Sequence, residues 1–198
     1  MEFQGISFDV FDSVYEPSDD SFLLAEHSKS LKGEILEIGT GCGIVGILNA
    51  KNNPENKILA VDINPEAVKN AKSNAEKNEI QNIDFIQSNL FSKIPKRRFD
   101  AIIFNPPYLP TGKDEKINTN LNHAFDGGID GRKVLDEFLD SFSGFLKSKG
   151  KLLILHSSLN NPEKTIRKLE SMGFSVKILQ EKHFFFETLS MIRADKKD

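Results

Sequence analysis

The run Ile35-Leu36-Glu37-Ile38-Gly39-Thr40-Gly41-Cys42-Gly43-Ile44-Val45-Gly46 constrains this chain more than any other. An apolar stretch of strand length passes directly into alternating glycines, and then into Ile47, Leu48 and Ala50 at helical spacing. Strand, glycine turn and helix in that order are the opening unit of an α/β sheet. Gly39, Gly41 and Gly43 let the backbone turn tightly and approach a ligand, while the next helix begins with unpaired N–H groups. Gly41, Gly43 and Gly46 also spell G-x-G-x-x-G, so a dinucleotide-binding oxidoreductase has to be weighed.

Glu37 argues against that alternative. A carboxylate beside the loop repels a pyrophosphate but attracts a cationic α-amino group, such as the one carried by the sulfonium amino acid S-adenosylmethionine. A second strand, Lys57 to Val61, ends in Asp62, whose carboxylate can accept both hydroxyls of a ribose. NAD enzymes use an acid in the same way, so Asp62 does not discriminate between cofactors. A further buried strand, Ala101 to Phe104, runs into Asn105-Pro106-Pro107-Tyr108. The prolines stiffen this turn and remove backbone donors, leaving carbonyls directed outward. Asn105 then offers an amide carbonyl, Pro106 a backbone carbonyl and Tyr108 a flat ring, which together suit a planar NH2 group. Ligands of open α/β sheets bind at such carboxyl ends of strands.

With these pieces the chain resembles the class I S-adenosylmethionine-dependent methyltransferases over almost its whole length. Glu37, Gly39, Gly41 and Gly43 match the family's E-x-G-x-G-x-G, Asp62 its ribose acid, and residues 105–108 its N-P-P-Y signature. Val14-Tyr15-Glu16-Pro17-Ser18-Asp19-Asp20-Ser21-Phe22-Leu23-Leu24 looks like the Y-E-P-x-E-D-T-F-L-L element of a HemK-type subgroup. That subgroup, eukaryotic and archaeal, methylates the glutamine of a Gly-Gly-Gln motif in release factors. Ala124-Phe125-Asp126-Gly127-Gly128-Ile129-Asp130-Gly131-Arg132 resembles its A-x-x-G-G-x-x-G-R segment. Ser21 stands where the family has Thr and keeps the hydroxyl. Asn89, in Ser88-Asn89-Leu90, stands where the family has the Asp that accepts from the cofactor's adenine amino group; it keeps a carbonyl and loses the charge. The resemblance therefore implies cofactor contacts at Ser21, Glu37, Gly39, Gly41, Gly43, Asp62, Asn89, Leu90 and Asn105. It implies substrate contacts at Asn105, Pro106, Pro107 and Tyr108, with Asn105, Pro106 and Tyr108 catalytic.

The rest of the chain agrees with a single methyltransferase domain over residues 1–198, with a short amino-terminal segment capping the cofactor. Ser18-Asp19-Asp20 places acids at the start of a first helix. Asn64-Pro65-Glu66 opens another helix, with Ala67, Val68, Ala71 and Ala75 along one face. Ile83 to Gln87 is a third strand, and the polar stretch from Thr111 to Asn122 is long enough for a substrate-side loop. Val134, Leu135, Phe138, Leu139, Phe142, Phe145 and Leu146 predict an amphipathic helix. Leu152 to Leu155 is a fifth strand, Asn161-Pro162-Glu163 opens a helix ending near Gly173, and Ser175 to Leu179 and Thr188 to Ile192 are strands. By the resemblance, these last two form the reversed antiparallel edge of a Rossmann-like, mostly parallel seven-stranded sheet with helices on both faces.

At 198 residues and a net charge of −3, the chain is not built as a polyanion clamp, although Lys93, Lys96, Arg97 and Arg98 form a basic loop. Its one cysteine excludes an internal disulfide, and His27, His123, His156 and His183 lack metal-binding spacing. Residues 1–13 carry neither a basic start nor an apolar run, and nothing approaches the ~18 apolar residues of a membrane span, so the expected location is cytoplasmic. Cys42 reads as a small residue in a crowded loop, and Phe184-Phe185-Phe186 as hairpin packing or an interface.

The expected activity is methylation of a protein glutamine in a release factor. An adenine exocyclic amine presents the same planar NH2, so adenine methylation of DNA or RNA is the nearest alternative; lysine methylation and a noncatalytic binding subunit are the others. The resemblance also implies a small zinc-binding activator subunit, added at the strand edge formed by Ile83, Asp84, Phe85 and Ile86.

Overall fold

A computed structural model describes residues 1–111 and 125–197. In chain order these form β1 (Glu2–Phe3), β2 (Ile6–Ser7), α1 (Asp19–Ser28), β3 (Glu34–Ile38), α2 (Ile44–Asn52), β4 (Lys57–Asp62), α3 (Pro65–Lys77) and β5 (Ile83–Gln87). There follow β6 (Phe99–Phe104), α4 (Lys133–Ser141), β7 (Leu146–Ser157), α5 (Pro162–Ser171), β8 (Phe174–His183) and β9 (Thr188–Lys196). Seven strands make one sheet in the order β5-β4-β3-β6-β7-β9-β8. Strands β5 to β7 are parallel, and β9 runs antiparallel to both of its neighbours. The reversed strand is thus inserted inside the sheet, with β8 outside it as the edge.

Successive side chains of a strand point to opposite faces, and here both faces are covered, which is why the parallel strands read as continuous apolar runs. Ile35, Ile58, Ile103 and Leu153 pack with α1, α2 and α3 on one side. Their chain neighbours Leu36, Leu59, Ile102 and Leu152 pack with α4 and α5 on the other. The predicted helix through Leu146 is shorter than its periodicity: α4 ends at Ser141, Phe142–Phe145 form a 3-10 turn, and Leu146 opens β7. Phe142 and Phe145 are three apart, which suits the tighter turn, and their rings stack on Phe138 and Phe91 at 5.3 and 4.5 Å.

The amino-terminal segment has a structure that periodicity did not reveal. Gln4 and Gly5 both take positive φ (50° and 73°) and close the β1–β2 hairpin. The extended chain beyond it lies along α3. Asn78 accepts from Ser7 N–H at 3.0 Å and donates back to Ser7 O at 2.8 Å. Asn74 treats Asp9 likewise at 2.9 Å in both directions, and Asn70 accepts from Phe11 N–H at 3.0 Å. Four helical residues rise about 6 Å and two extended residues about 6.6 Å, so asparagines every fourth position meet every second residue of the strap. Asn64 extends the row by donating to Ser13 O at 2.9 Å. The strap is thereby led over the carboxyl ends of the sheet strands, beside the point where β4 and β5 lie to one side of β3 and β6 to the other.

Of the expected substrate-side loop, everything beyond Thr111 falls outside the described residues, as do His123 and Ala124. Among the described residues, no helix is long and apolar enough to cross a membrane.

Candidate functional site

Register brings the two motifs together. Ile38 of β3 pairs with Phe104 of β6, so Gly39 and Asn105 leave the sheet side by side. The glycine turn has positive φ at Gly39, Gly41 and Gly43 (71°, 57° and 91°). Gly39 and Thr40 donate to Val61 O at 2.8 and 3.0 Å, and Gly41 N–H donates to Asp62 Oδ2 at 2.9 Å. Asp62 Oδ1 accepts from Asn64 N–H, also at 2.9 Å, so this carboxylate braces the turn as well as facing the cavity.

Gly46 resolves the apparent G-x-G-x-x-G. It lies within α2, and a Cβ there would strike Glu37 Oε2, so its role is to admit a carboxyl group rather than a pyrophosphate. Glu37 is only 2 % exposed and accepts from Thr40 Oγ1 at 2.9 Å. Burial pushes its pKa up to about 8, against the hydrogen bonds from Thr40 and Gly46, and with some help from the Asp62 charge. An incoming cation would reverse that shift.

At the end of β6, Asn105 donates through Nδ2 to Asp20 Oδ2 at 3.0 Å. Its Oδ1 is buried and has no hydrogen-bond partner. An orphan acceptor of this kind is expensive to keep and marks a place for an incoming donor. Asp20 is 2 % exposed and also accepts from the Ser21 amide at 2.6 Å, and from the hydroxyls of Tyr15, Ser18 and Ser21 at 3.2 Å. Ser18 therefore points its hydroxyl at Asp20 and makes no side-chain cap for α1. Sequence reasoning read Asp20 only as a helix-start acid. The Y-E-P element was the available signal, but Asn105 lies 85 residues away.

Around these groups is a cavity of ≈ 300 Å³. Ser21, Glu37, Gly39, Gly41, Asp62, Asn89, Leu90, Asn105, Pro106, Pro107 and Tyr108 all line it. Gly43 stands just behind, where a Cβ would meet Ile47 Cδ1 at 2.8 Å and Ala71 Cβ at 3.0 Å. Asn89 is exposed at one end, next to Ser88, whose N–H donates to Asp62 O at 2.9 Å. Tyr108 and Tyr15 occupy the other end, and burial, with the Asp20 charge next, pushes both phenols upward, Tyr15 to about 12. Cys42 is buried with its thiol pushed up to about 12 by desolvation, in keeping with a packing residue.

Residues 126–132 support the tetrapeptide from behind. Gly127 N–H donates to Leu109 O at 3.0 Å, and at Gly131 (φ 67°) a Cβ would strike Tyr108 O. Arg132 is buried and donates to Asn160 O, Asn161 O, Asp136 Oδ1 and Thr165 Oγ1 at 2.5, 3.0, 2.7 and 3.0 Å. His156, also buried, shares Thr165 Oγ1 at 2.8 Å, and desolvation lowers its pKa to about 4.

The solved E. cuniculi Mtq2-Trm112 complex, responsible for methylation of the eRF1 translation termination factor, aligns with a TM-score of 0.72 and 26% identity, covering 93% of this chain and 99% of that one. A putative protein N5-glutamine methyltransferase of Methanocaldococcus jannaschii is 47% identical over 98% of both chains. The human methyltransferase HEMK2 is 29% identical, over 94% of this chain and 92% of its own length. Residues 16–126, from Glu16 and Pro17 through the glycine turn and the tetrapeptide, match the model of the methyltransferase small domain, and the chain belongs to that family.

Proposed function

We propose that this protein transfers a methyl group from S-adenosylmethionine to the side-chain amide nitrogen of a protein glutamine, in the Gly-Gly-Gln motif of a translation release factor in the cytoplasm. The carrying observation is the partnerless Oδ1 of Asn105, held in place through Nδ2 by Asp20. Relatives named for glutamine methylation, at 47% identity in one case, support the choice of substrate.

The residues at the cavity suit the cofactor. Asp62 lies at the end of β4, where a ribose would sit; Glu37 is an acid whose surroundings are hydrogen-bond donors and another acid; Asn89 and Leu90 flank the adenine end. Held there, the cofactor would supply an electrophilic sulfonium methyl group for transfer to the substrate nitrogen, which would give up a proton in exchange.

All else is orientation by this chain. Asn105 Oδ1 and Pro106 O accept the two substrate N–H groups, turning the nitrogen lone pair toward the methyl. Asp20 withdraws the Asn105 NH2 from competition and polarises its amide, which strengthens Oδ1 as an acceptor. Tyr108, with its phenol held neutral by burial, packs on the amide plane. Fixing reactants in line can lower a barrier by ~7–11 kcal/mol, so neither a covalent intermediate nor a dedicated base is required.

The same reading carries a partner. β5 is the outer strand of the sheet, with Phe85 and Ile86 half-buried, and the E. cuniculi relative was solved with Trm112. A small zinc-binding subunit adding to the Ile83–Ile86 edge fits this chain as well. Co-expression should raise solubility and activity, and Phe85→Lys should undo both.

The direct test is mass spectrometry of a purified release factor after incubation with enzyme and labelled cofactor. Methylglutamine within Gly-Gly-Gln is the expected product; label appearing on adenine in an oligonucleotide, with none on the protein, would overturn the reading.

A further inference from the structure

The turn between β8 and β9 carries groups that the fold does not use. Phe184 N–H donates to Glu187 O at 2.7 Å and closes the hairpin. Phe185 and Phe186 are then 91% and 85% exposed, packed edge to face on each other with ring centroids 4.5 Å apart. Of the two expectations for this run, hairpin packing or an interface, the exposure of Phe185 and Phe186 rules out packing for those two rings and leaves the interface. Glu187 follows, and its Oε1 is buried without a hydrogen-bond partner. Large rings left in water and a carboxylate oxygen left without a donor both cost free energy.

The turn stands beside the tyrosine end of the cavity. Lys182 Nζ pairs with Asp19 Oδ1 at 2.7 Å, tying β8 to the first residue of α1, next to Asp20. Thr188 N–H donates to Ser158 Oγ at 3.0 Å and fixes the other strand. The Glu187 charge acts on both Tyr15 and Tyr108, raising their phenol pKa values. The turn is thus tied to α1, and its Glu187 carboxylate lies near the two tyrosines that line the cavity.

We propose that the Phe184–Glu187 turn docks the polypeptide substrate, Glu187 Oε1 accepting a backbone N–H of the loop that carries the reacting glutamine while Phe185 and Phe186 cover its apolar flank. This rests on the protein-glutamine reading and specifies how the substrate is held. The occupant follows from charge and shape. An anionic acceptor repels the phosphates of a nucleic acid but accepts a peptide N–H, most readily from a glycine, whose N–H no side chain shields. Exposed paired aromatics without a basic stripe likewise suit a polypeptide flank.

The test is initial-rate kinetics of the full chain on an intact release factor, with cofactor affinity measured by titration. The double substitution Phe185→Ser and Phe186→Ser should raise KM for the protein about 10-fold, with kcat and cofactor affinity unchanged. Glu187→Ala should raise KM about 5-fold, and Glu187→Gln, which keeps a carbonyl acceptor, should recover most of that loss. KM values within about 2-fold of the parent for the double variant and for Glu187→Ala would overturn the docking role alone. Weakened cofactor binding with a lowered melting point would reassign the turn to structure and also overturn it. If the unaltered protein methylates oligonucleotide adenine and no protein, the functional reading itself fails, which is a distinguishable result.

Discussion

Along α3 and at the residue that caps its end, Asn70, Asn74 and Asn78 use both ends of their amides on the backbone of the amino-terminal strap, whereas at the end of β6 Asn105 uses only its Nδ2. The side chains are chemically identical and the difference lies in what surrounds them. An amide satisfied at donor and acceptor holds two segments together and has nothing left to offer a ligand. An amide satisfied at its donor alone is rigid, correctly oriented and still short of one partner. Asn160 is in the same state away from the cavity, so it is the combination of a leftover acceptor with a place in the cavity lining that singles out Asn105 as the candidate for a substrate contact.

The strongest test of this contrast is Asn105→Ala. Turnover should fall about 10²–10³-fold, as for loss of a preorganised transition-state contact, while cofactor affinity and melting temperature stay near the parent values. Near-normal turnover in a folded variant would sink the assignment. Asn74→Ala should show the opposite profile. It strands the Asp9 amide and removes the bond to Cys42 O, so stability should drop by about 2–4 kcal/mol in denaturant titration, with turnover per folded molecule far less affected.

A smaller effect separates orientation from contact. Asp20→Asn weakens the grip on Asn105 Nδ2 without touching substrate, so kcat should fall about 10-fold with KM for the protein unchanged. Equal losses in kcat and in cofactor affinity would place Asp20 in the cofactor site instead.

Glu37 gives a pH signature in the cofactor-free protein. Its folded pKa, about 8, lies above the ordinary 4.5, so the folded chain retains a proton that the unfolded chain releases in that interval. The contribution is full below the lower value and is lost as pH rises through the upper one. Melts across this range should show the loss in the parent protein and a flatter profile in Glu37→Gln; identical profiles would mean that Glu37 is ionised in the fold. The smallest change is expected from Asn89→Asp, which should bind cofactor equally or about 3-fold tighter, since Asn89 is exposed at the cavity end. A large loss of affinity would show that Asn89 does not face the adenine.

Much of the site was legible because its parts are local. A strand followed by Gly39, Gly41 and Gly43, an acid closing the next strand, and prolines stiffening the turn after Asn105 each declare a backbone geometry within a few residues. Strand 83–87 and the helix opened by Asn64-Pro65 match the structure for the same reason. By contrast, the helix end at Ser141 was hidden, because Phe142, Phe145 and Leu146 continue an apolar rhythm that a 3-10 turn and a strand can also satisfy.

Sequence alone determined that this is an α/β chain and placed its candidate site at the carboxyl ends of the strands, where the cavity lies, since hydrophobic period and turn chemistry act between near neighbours. Tertiary structure decided which polar atoms were spent and which were left over. Asp20 reaches Asn105 across 85 residues, Asn78 reaches Ser7 across 71, and Gly46 makes room for Glu37 only because α2 folds back on β3. Such pairings depend on strand order and on how helices lie against the sheet. A buried amide or carboxyl becomes a strut or a site according to whether that packing supplies its last hydrogen bond.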